Sequence, residues 1–267
     1  MRRHLLSFIT LLTFATPGGA QATDSHTHHL SCSYTSDYDM QVTTRGIDFT
    51  RSSGHPVEVF IHEGTLRVDG QTMAVSDADA ARLREYEHEV RDLLPAVAAI
   101  ARDGVDIGYS ALTTVVATLA DNGDERTRLL HDLRDRHDEA MRHIDGTLGQ
   151  GRWHAGDEEA FFGDDLQRTV THLVGNVTGD VVKDALSGDP NRLASLEART
   201  DALDATIDKA VNGPAEKLGQ RAEALCPKLG HLQQLQQQFQ FHLPSGERLQ
   251  LIDSNMDRTD KASYAQR

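Results

Sequence analysis

The chain has 267 residues, with 27 lysines and arginines against 41 aspartates and glutamates, which gives a formal net charge of −14 at neutral pH. A surface this acidic repels nucleic acid and anionic lipid headgroups, so neither is expected as a partner. The length is sufficient for one large hydrophobic core or two small ones.

The first 22 residues have the features of a secretory signal peptide. Arg2 and Arg3 precede the apolar run LLSFITLLTFA, and the small-residue triplet Ala20-Gln21-Ala22 follows. The apolar run is too short to cross a bilayer, which requires about 20 residues. We therefore expect cleavage after Ala22, an exported mature protein and no transmembrane segment. The alternative interpretation is a buried N-terminal helix.

The start of the expected mature chain carries three histidines and a cysteine. Export would leave the only two cysteines, Cys32 and Cys226, in an oxidising compartment, where an even number predicts a disulfide. Two buried free thiols are the alternative. The histidines His26, His28 and His29 have a spacing that can chelate copper, nickel or zinc weakly. Otherwise they belong to a solvated tail that leads into a strand.

Residues 30–75 have the alternating pattern of short antiparallel strands. Apolar and polar residues alternate in VEVFIH and TLRVDG, and the pairs Glu63-Gly64 and Asp69-Gly70 suit tight turns. DMQVTT and GIDFTR are weaker strand candidates. We expect a meander of four or five strands.

Residues 76–240 have helical periodicity. Ser76, followed by acidic residues, predicts the start of the first helix. Pro95 is expected to kink this helix, and Gly104 and Gly108 are expected to interrupt it. Further helices are predicted to start near Asp124, Asp157, Pro190 and Pro214.

Two features of the later helices predict how they pack. Gly175 and Gly179 are four residues apart in a helix, where each glycine costs about 1 kcal/mol, so we expect them to allow the close approach of a second helix. From Pro190 the apolar residues follow the spacing of a coiled-coil seam, which we expect to pack against the earlier helices. The break at Asn212-Gly213-Pro214 is expected to divide this seam.

The C-terminal region returns to strand-like alternation. Residues 236–252 predict a hairpin around Pro244-Ser245-Gly246, which can join the N-terminal sheet, and residues 253–267 are typical of a polar, disordered tail. The sequence therefore predicts a single, predominantly helical α+β domain over residues 23–252. In it, a short antiparallel sheet packs on a bundle of amphipathic helices.

The sequence contains no recognisable catalytic motif. The patterns HExxH, GxSxG and SxxK and the phosphate loop are all absent. His131, His137 and His143 are six residues apart, which puts consecutive ones on opposite helix faces. Trp153, the only tryptophan, lies in a glycine-rich loop, where packing over a helix end is a more frequent outcome than anchoring a partner. We predict no catalytic residue and no cofactor.

The order of the parts along the chain is also informative. A signal peptide precedes an SCSY strand and a short sheet, followed by LREYEHEVRDLLP, the glycine-bearing helix HLVGNVTGDVVKDAL and a late helix ending in EALCPKL. This order resembles the YggN-like family of bacterial periplasmic proteins, whose members have no established activity. The resemblance implies a periplasmic location and supports the pairing of Cys32 with Cys226. It implies no catalytic residues.

Three functions remain open at this point. The leading hypothesis is a non-enzymatic binding or scaffold protein that holds a peptide or an envelope protein on a helical face or a sheet edge. The second is weak transition-metal binding through the N-terminal histidines. The third is a hydrolase whose catalytic residues are scattered in the sequence. The sequence does not indicate the oligomeric state.

Overall fold

Helices predominate in an α+β fold, as the sequence predicts. The computed structural model describes residues 34–120, 123–154 and 206–254, with scattered positions between residues 171 and 201. Within these residues the strands are β1 (Tyr34–Thr35), β2 (Asp39–Thr43), β3 (Gly46–Thr50), β4 (Glu58–His62), β5 (Thr65–Val68), β6 (Gln71–Met73), β7 (Arg152–Trp153) and β8 (Asp253–Ser254). The α-helices with described bounds are α1 (Asp77–Leu119), α2 (Gly123–Gly146), α3 (Gly213–Glu223) and α4 (Cys226–Gln237). In the part of the chain that is described, no helix combines the length and apolar character needed to span a membrane.

Six antiparallel strands form the main sheet, in the spatial order β6-β5-β4-β3-β2-β7. The two predicted turns are confirmed: Glu63-Gly64 joins β4 to β5, and Asp69-Gly70 joins β5 to β6. All four turn residues have a positive φ, between 46° and 82°, which is the backbone of a two-residue type I′ hairpin. These turns set the register that directs the apolar side chains of β4 and β5 towards the helices.

The sheet gains one strand that the sequence does not predict. β7 follows α2 and a 3₁₀ turn, and it pairs with β2 so that Trp153 lies opposite Met40. The interpretation of this segment as a glycine-rich loop is therefore incomplete. Gly151 has a φ of 76°, and a Cβ there would lie 2.5 Å from the carbonyl oxygen of Val42, so a glycine is needed where the chain joins the sheet edge.

Helix α1 is continuous over 43 residues, about 65 Å at 1.5 Å per residue. The prediction that Gly104 and Gly108 interrupt it is wrong, and Pro95 lies inside the helix without ending it. Val105 is buried in one cluster with Ile144 of α2, so tertiary packing continues past the first glycine. Packing of this kind outweighs a propensity cost of about 1 kcal/mol per glycine and about 3 kcal/mol for the proline.

The start of α1 is also a tertiary anchor. Ser76 caps the helix as predicted, because its Oγ accepts a hydrogen bond from the backbone N–H of Asp79 at 3.1 Å. Asp79 is only 1% exposed, and its carboxylate accepts hydrogen bonds from Arg82 at 2.9 Å and from the backbone N–H of Gln240 at 3.1 Å. This acidic residue therefore fixes the segment that follows α4, in addition to its place in the first helical turn.

The helical segment before α4 is divided at a different point from the predicted one. The chain stays helical through Asn212-Gly213-Pro214 by widening into a π-helical turn (Asp208–Asn212), in which the N–H of Gly213 bonds to the carbonyl of Asp208. The division falls instead at Ala224 and Leu225, between α3 and α4. Pro227 lies in the first turn of α4, where its missing N–H has no cost.

The predicted C-terminal hairpin has the expected turn but does not join the main sheet. Leu243 N donates to Glu247 O, and Gly246 N donates to Leu243 O, both at 2.8 Å. Apolar side chains on both sides of the turn are buried in the main core: Phe239, Phe241, Leu243, Leu249 and Leu251. Residues 253 and 254, predicted as the start of the tail, form β8 and pair with β1 in a separate two-stranded sheet.

The main core lies between the inner face of the sheet, the first half of α1, α4 and the C-terminal segment. The signal peptide, the histidines at positions 26, 28 and 29, Cys32, Gly179 and residues 255–267 lie outside the described residues. Gly175 is exposed, and no described atom lies within 4 Å of the position that a Cβ would take there. The close helix packing predicted for the two glycines therefore has no support in the described residues.

Candidate functional site

An apolar cavity of about 290 Å³ lies where the sheet, α1, α4 and the β1–β8 pair meet. We call it the sheet–helix cavity. Its lining consists of aliphatic, aromatic and hydroxyl-bearing residues: Tyr34, Thr35, Ser36, Tyr38, Met40, Phe49, Tyr86, Val90, Leu93, Leu94, Val97, Trp153, Leu229, Leu232, Leu251 and Ile252. None of these lining residues carries a charge, in a chain in which 25% of the residues are charged.

The strand register builds one wall of the cavity. Trp153 lies opposite Met40, and Met40 lies opposite Phe49, so the three side chains form a row across β7, β2 and β3. Directly opposed residues of antiparallel strands point to the same face of a sheet. Because β7 enters the sheet only at its edge, the predicted loop tryptophan becomes a wall residue of this cavity.

Helix α1 supplies the opposite wall through helical spacing. Tyr86, Val90, Leu93 and Val97 are separated by four, three and four residues, which places them on one face of the helix. The sequence identified this apolar face but not the space in front of it. A cavity forms only where the side chains of several elements leave space between them. The periodicity of one element therefore cannot predict a cavity.

The rim of the cavity next to α4 is held by a buried glutamine. Gln236 is 8% exposed. Its Oε1 accepts hydrogen bonds from the backbone N–H groups of Leu251, at 2.5 Å, and Ile252, at 3.0 Å, while its Nε2 donates to the carbonyl of Ile252 at 2.9 Å. On the same side, a Cβ added to Gly230 would lie 3.2 Å from the hydroxyl of Tyr34. The rim is therefore positioned by hydrogen bonds and close contact with α4.

The hydroxyl groups in the cavity wall differ in their partners. Ser36 Oγ donates to the carbonyl of Leu251 at 2.8 Å, and the hydroxyl of Tyr38 donates to the carbonyl of Pro56 at 3.1 Å. Tyr86 is 2% exposed, and among the described residues its hydroxyl has no hydrogen-bond partner. Burial raises the pKa of Tyr86 well above its ordinary value of 10, so this hydroxyl stays protonated.

A second, polar cavity of about 330 Å³ adjoins the first and shares the lining residues Thr35, Ser36, Tyr38, Leu251 and Ile252. Its further lining includes Asp37, Arg51 and Asp253. The arginine is already engaged, because its Nε donates to the carbonyl of Pro56 at 2.8 Å and its guanidinium carbon lies 4.6 Å from the centre of the Tyr38 ring. This cavity has the character of a solvated surface recess.

A third cavity, of about 310 Å³, lies between α1 and α2 and contains His137. Its Nε2 lies 2.7 Å from Asp106 Oδ1, and its Nδ1 lies 3.2 Å from Asp138 Oδ1. The hydrogen bond to Asp106 is the main reason why the pKa of His137 is raised, against the opposing effect of burial. When His137 is protonated, its ring donates to both carboxylates, and the bond to Asp106 joins α2 to α1.

The described residues give no support to a metal site, because no group of three or more histidine, cysteine, aspartate or glutamate side chains in them is arranged to hold an ion. The predicted ligands His26, His28 and His29 are outside the described residues, so weak metal binding stays a prediction.

Comparison with known proteins gives a family but no activity. No curated protein and no solved structure matches the chain. The family described as "Protein of unknown function (DUF2884)" matches residues 32–252, a range that contains every lining residue of the sheet–helix cavity. The chain therefore belongs to the DUF2884 family of proteins of unknown function.

Proposed function

We propose that this protein is an exported, non-enzymatic binding protein that holds a small, mainly apolar molecule in the sheet–helix cavity. The observation that carries the proposal is the uncharged lining of a space of about 290 Å³ next to the core. Binding sites for small molecules are typically concave and mostly apolar, with a few polar groups that orient the ligand. At the 30 Å³ that a water molecule occupies in the liquid, the space holds about ten non-hydrogen atoms.

The size of the cavity supports a small molecule as the ligand, in place of the extended partner suggested by the sequence. A helical face or a sheet edge would hold a peptide or an envelope protein through an extended surface. A recess for about ten non-hydrogen atoms admits a small molecule. We therefore propose the cavity, rather than a helical face or a sheet edge, as the binding site.

Export to the bacterial periplasm is part of the proposal. It is supported by the signal-peptide pattern and by the resemblance to the YggN-like family. The pairing of Cys32 with Cys226 fits the local geometry, because Tyr34 follows Cys32 by two residues and its hydroxyl lies over Gly230, one helical turn after Cys226. A disulfide at this point would tether β1, which forms part of the cavity rim.

Binding can be tested with 1-naphthol, whose eleven non-hydrogen atoms are close to the capacity of about ten estimated above. We expect calorimetry on the mature protein, residues 23–267, to show saturable binding, and the emission of Trp153 to change with the same midpoint. This tryptophan is suitable because it is the only one in the chain and it lines the cavity.

A cavity-filling variant locates the site. Val90→Phe places a ring in the space in front of α1 and should weaken 1-naphthol binding at least tenfold. The matched control is Val57→Phe, because Val57 is 45% exposed and lies outside the lining; its affinity should stay unchanged. If Val90→Phe fails to fold, Leu232→Phe repeats the test from α4. Absence of saturable binding to the folded wild type, or equal affinity in the filled variants, would overturn the proposal.

A further inference from the structure

We infer that the sheet–helix cavity selects an uncharged ligand with a hydroxyl or carbonyl oxygen, and that the hydroxyl of Tyr86 recognises this oxygen. The inference rests on the proposed function and adds the chemical class of the ligand and the residue that determines it.

The position of Tyr86 is the first observation. The residue lies on the α1 wall of the cavity and is 2% exposed. Its ring packs among the aromatic rings of the core, with centroid distances of 6.4 Å to Phe49 and 6.2 Å to Phe239. Packing of this kind requires an aromatic ring but not a hydroxyl, so a phenylalanine would make the same ring contacts.

The second observation is that this buried hydroxyl has no partner among the described residues, whereas the other buried wall tyrosine, Tyr38, donates to a backbone carbonyl. The third wall tyrosine, Tyr34, is only half-buried. Among the described residues, Arg67 Nε is the only fully enclosed side-chain nitrogen or oxygen without a partner, so the Tyr86 hydroxyl keeps some accessible surface, as a group that lines a cavity does. A hydrogen bond from this hydroxyl to a ligand oxygen would contribute about 1 kcal/mol, which a hydrocarbon of the same shape could not gain.

The lining also sets the charge of the ligand. None of the lining residues carries a charge that could pair with an ion. Moving a carboxylate or an ammonium group into such surroundings without a partner is strongly unfavourable. A neutral hydroxyl or carbonyl group needs only one hydrogen bond, which the Tyr86 hydroxyl can form as donor or acceptor. The expected ligand is therefore a compact, neutral molecule with an apolar carbon skeleton and a hydroxyl or carbonyl oxygen.

The test compares probes in two pairs of equal size: 1-naphthol with 1-methylnaphthalene, and 1-naphthoate with the neutral ketone 1-acetylnaphthalene. We expect the wild type to bind 1-naphthol about tenfold more tightly than 1-methylnaphthalene, and 1-naphthoate more weakly than 1-acetylnaphthalene. Tyr86→Phe should bind the first two probes equally. Because the hydroxyl has no described partner, the thermal midpoint of this variant should equal or exceed that of the wild type. Tyr109→Phe is the matched control, because Tyr109 also lies on α1 but outside the sheet–helix cavity, and this variant should keep the preference for 1-naphthol.

The outcomes separate this inference from the proposed function. If no probe binds the wild type, the proposed function fails. If 1-naphthol and 1-methylnaphthalene bind the wild type equally, or if Tyr86→Phe keeps the discrimination, only the inference about Tyr86 fails. A marked loss of stability in Tyr86→Phe would also contradict it, because the hydroxyl would then have a structural partner. Strong binding of 1-naphthoate would refute the neutral class.

Discussion

The carboxylate of Glu87 provides a sharp test of how the sheet is attached to α1. The residue is 7% exposed. It accepts hydrogen bonds from Arg91 Nη2 at 2.6 Å and from the backbone N–H of Glu63 at 2.7 Å, and His62 Nδ1 lies 3.4 Å away. One side chain therefore joins the β4–β5 turn to the helix. Glu87→Gln keeps the shape of the side chain but removes its charge.

The expected loss of stability follows from the hydrogen bonds that the charged carboxylate accepts. A hydrogen bond to a charged group contributes about 1.5–3 kcal/mol. The glutamine can still accept the bond from Glu63 but pairs less well with Arg91, so we expect Glu87→Gln to lower the free energy of unfolding by about 2 kcal/mol at pH 7. Burial raises the pKa of Glu87, but the hydrogen bonds from Arg91, Glu63 and His62 outweigh burial and hold it below 4.5.

The direction of the pKa shift sets the pH dependence. A carboxyl group whose pKa is lower in the folded state stabilises the fold above its unfolded pKa, and this contribution is lost as the pH falls through the folded pKa. The difference in stability between wild type and Glu87→Gln should therefore be full at pH 6–7, decline below the ordinary Glu pKa of 4.5 and nearly vanish once Glu87 is protonated.

Urea unfolding followed by circular dichroism between pH 3 and pH 7 measures this difference. Glu85→Gln is the matched control on the same helix, because Glu85 pairs with His231 at 3.0 Å but its side chain is 51% exposed. A surface pair of this kind contributes less than about 1 kcal/mol. The reasoning is refuted if Glu87→Gln costs no more than the control at pH 7, or if its cost is the same at pH 3.

Three further substitutions test separate parts of the fold. Gly64→Ala should lower the free energy of unfolding by about 2 kcal/mol more than Gly70→Ala. Both glycines have a positive φ, but only at Gly64 would a Cβ meet backbone, 2.6 Å from the carbonyl oxygen of Ala80 in α1. Equal urea midpoints for the two variants would contradict this. Asp79→Ala should lower the free energy of unfolding by about 3 kcal/mol. Because the Asp79 carboxylate holds the backbone of Gln240, proteolysis of the segment after α4 should become faster. An unchanged cleavage rate would contradict this. Asp106→Asn should lower the free energy of unfolding by less than about 1 kcal/mol at pH 5 and by still less at pH 8. The reason is that Asp106 raises the pKa of His137 in the folded state, which stabilises the fold below 6.5, and this contribution is lost as the pH rises. A larger decrease at pH 8 than at pH 5 would contradict this.

Local features of the fold were predictable because each depends on few neighbouring residues. The turns at Glu63-Gly64 and Asp69-Gly70 need residues that tolerate a positive φ, and the sequence offers such pairs between alternating segments. Ser76 caps α1 through an atom three residues away. The atoms that determine these turns and this cap lie within four or five consecutive residues, so the local sequence is sufficient to predict them.

Features that depend on distant contacts were not predictable in the same way. The glycines of α1 lower its helical propensity, but Val105 and its neighbours pack against α2, which begins far along the chain, and this packing keeps the helix continuous. β7 has two residues, too few to show alternation, and it exists because Met40 and Gln41 offer an unpaired strand edge. In both places tertiary contact decides the local structure.

The candidate site belongs to this second class. Its lining residues come from β1, the β1–β2 connection, β2, β3, β7, α1, α4 and the C-terminal segment, spread from residue 34 to residue 252. The lining residues of α1 were recognisable as one apolar face of a helix. The space in front of this face was not, because a cavity depends on the sum of side-chain volumes where several elements meet. The Tyr86 hydroxyl without a partner was not predictable either, because the sequence alone indicates only that a tyrosine on the apolar face of a helix packs in the core.

The cavity also makes a prediction about stability that separates a binding site from a tight core. The space of about 290 Å³ is partly open to solvent, so its apolar lining keeps contact with water. A ligand that fills the space would cover this lining and stabilise the fold, and so would a larger apolar side chain. Val90→Phe should accordingly unfold at the same urea concentration as the wild type or a higher one, although it loses 1-naphthol binding.

Opposite effects on stability and binding are characteristic of sites where function keeps the structure below its stability optimum. In a core that is already filled, the added ring would overpack its surroundings and cost about 1–3 kcal/mol. A lower unfolding midpoint for both Val90→Phe and Leu232→Phe, with Val57→Phe unchanged, would therefore mean that the space in front of α1 does not exist in solution, and the argument for a ligand would fail with it.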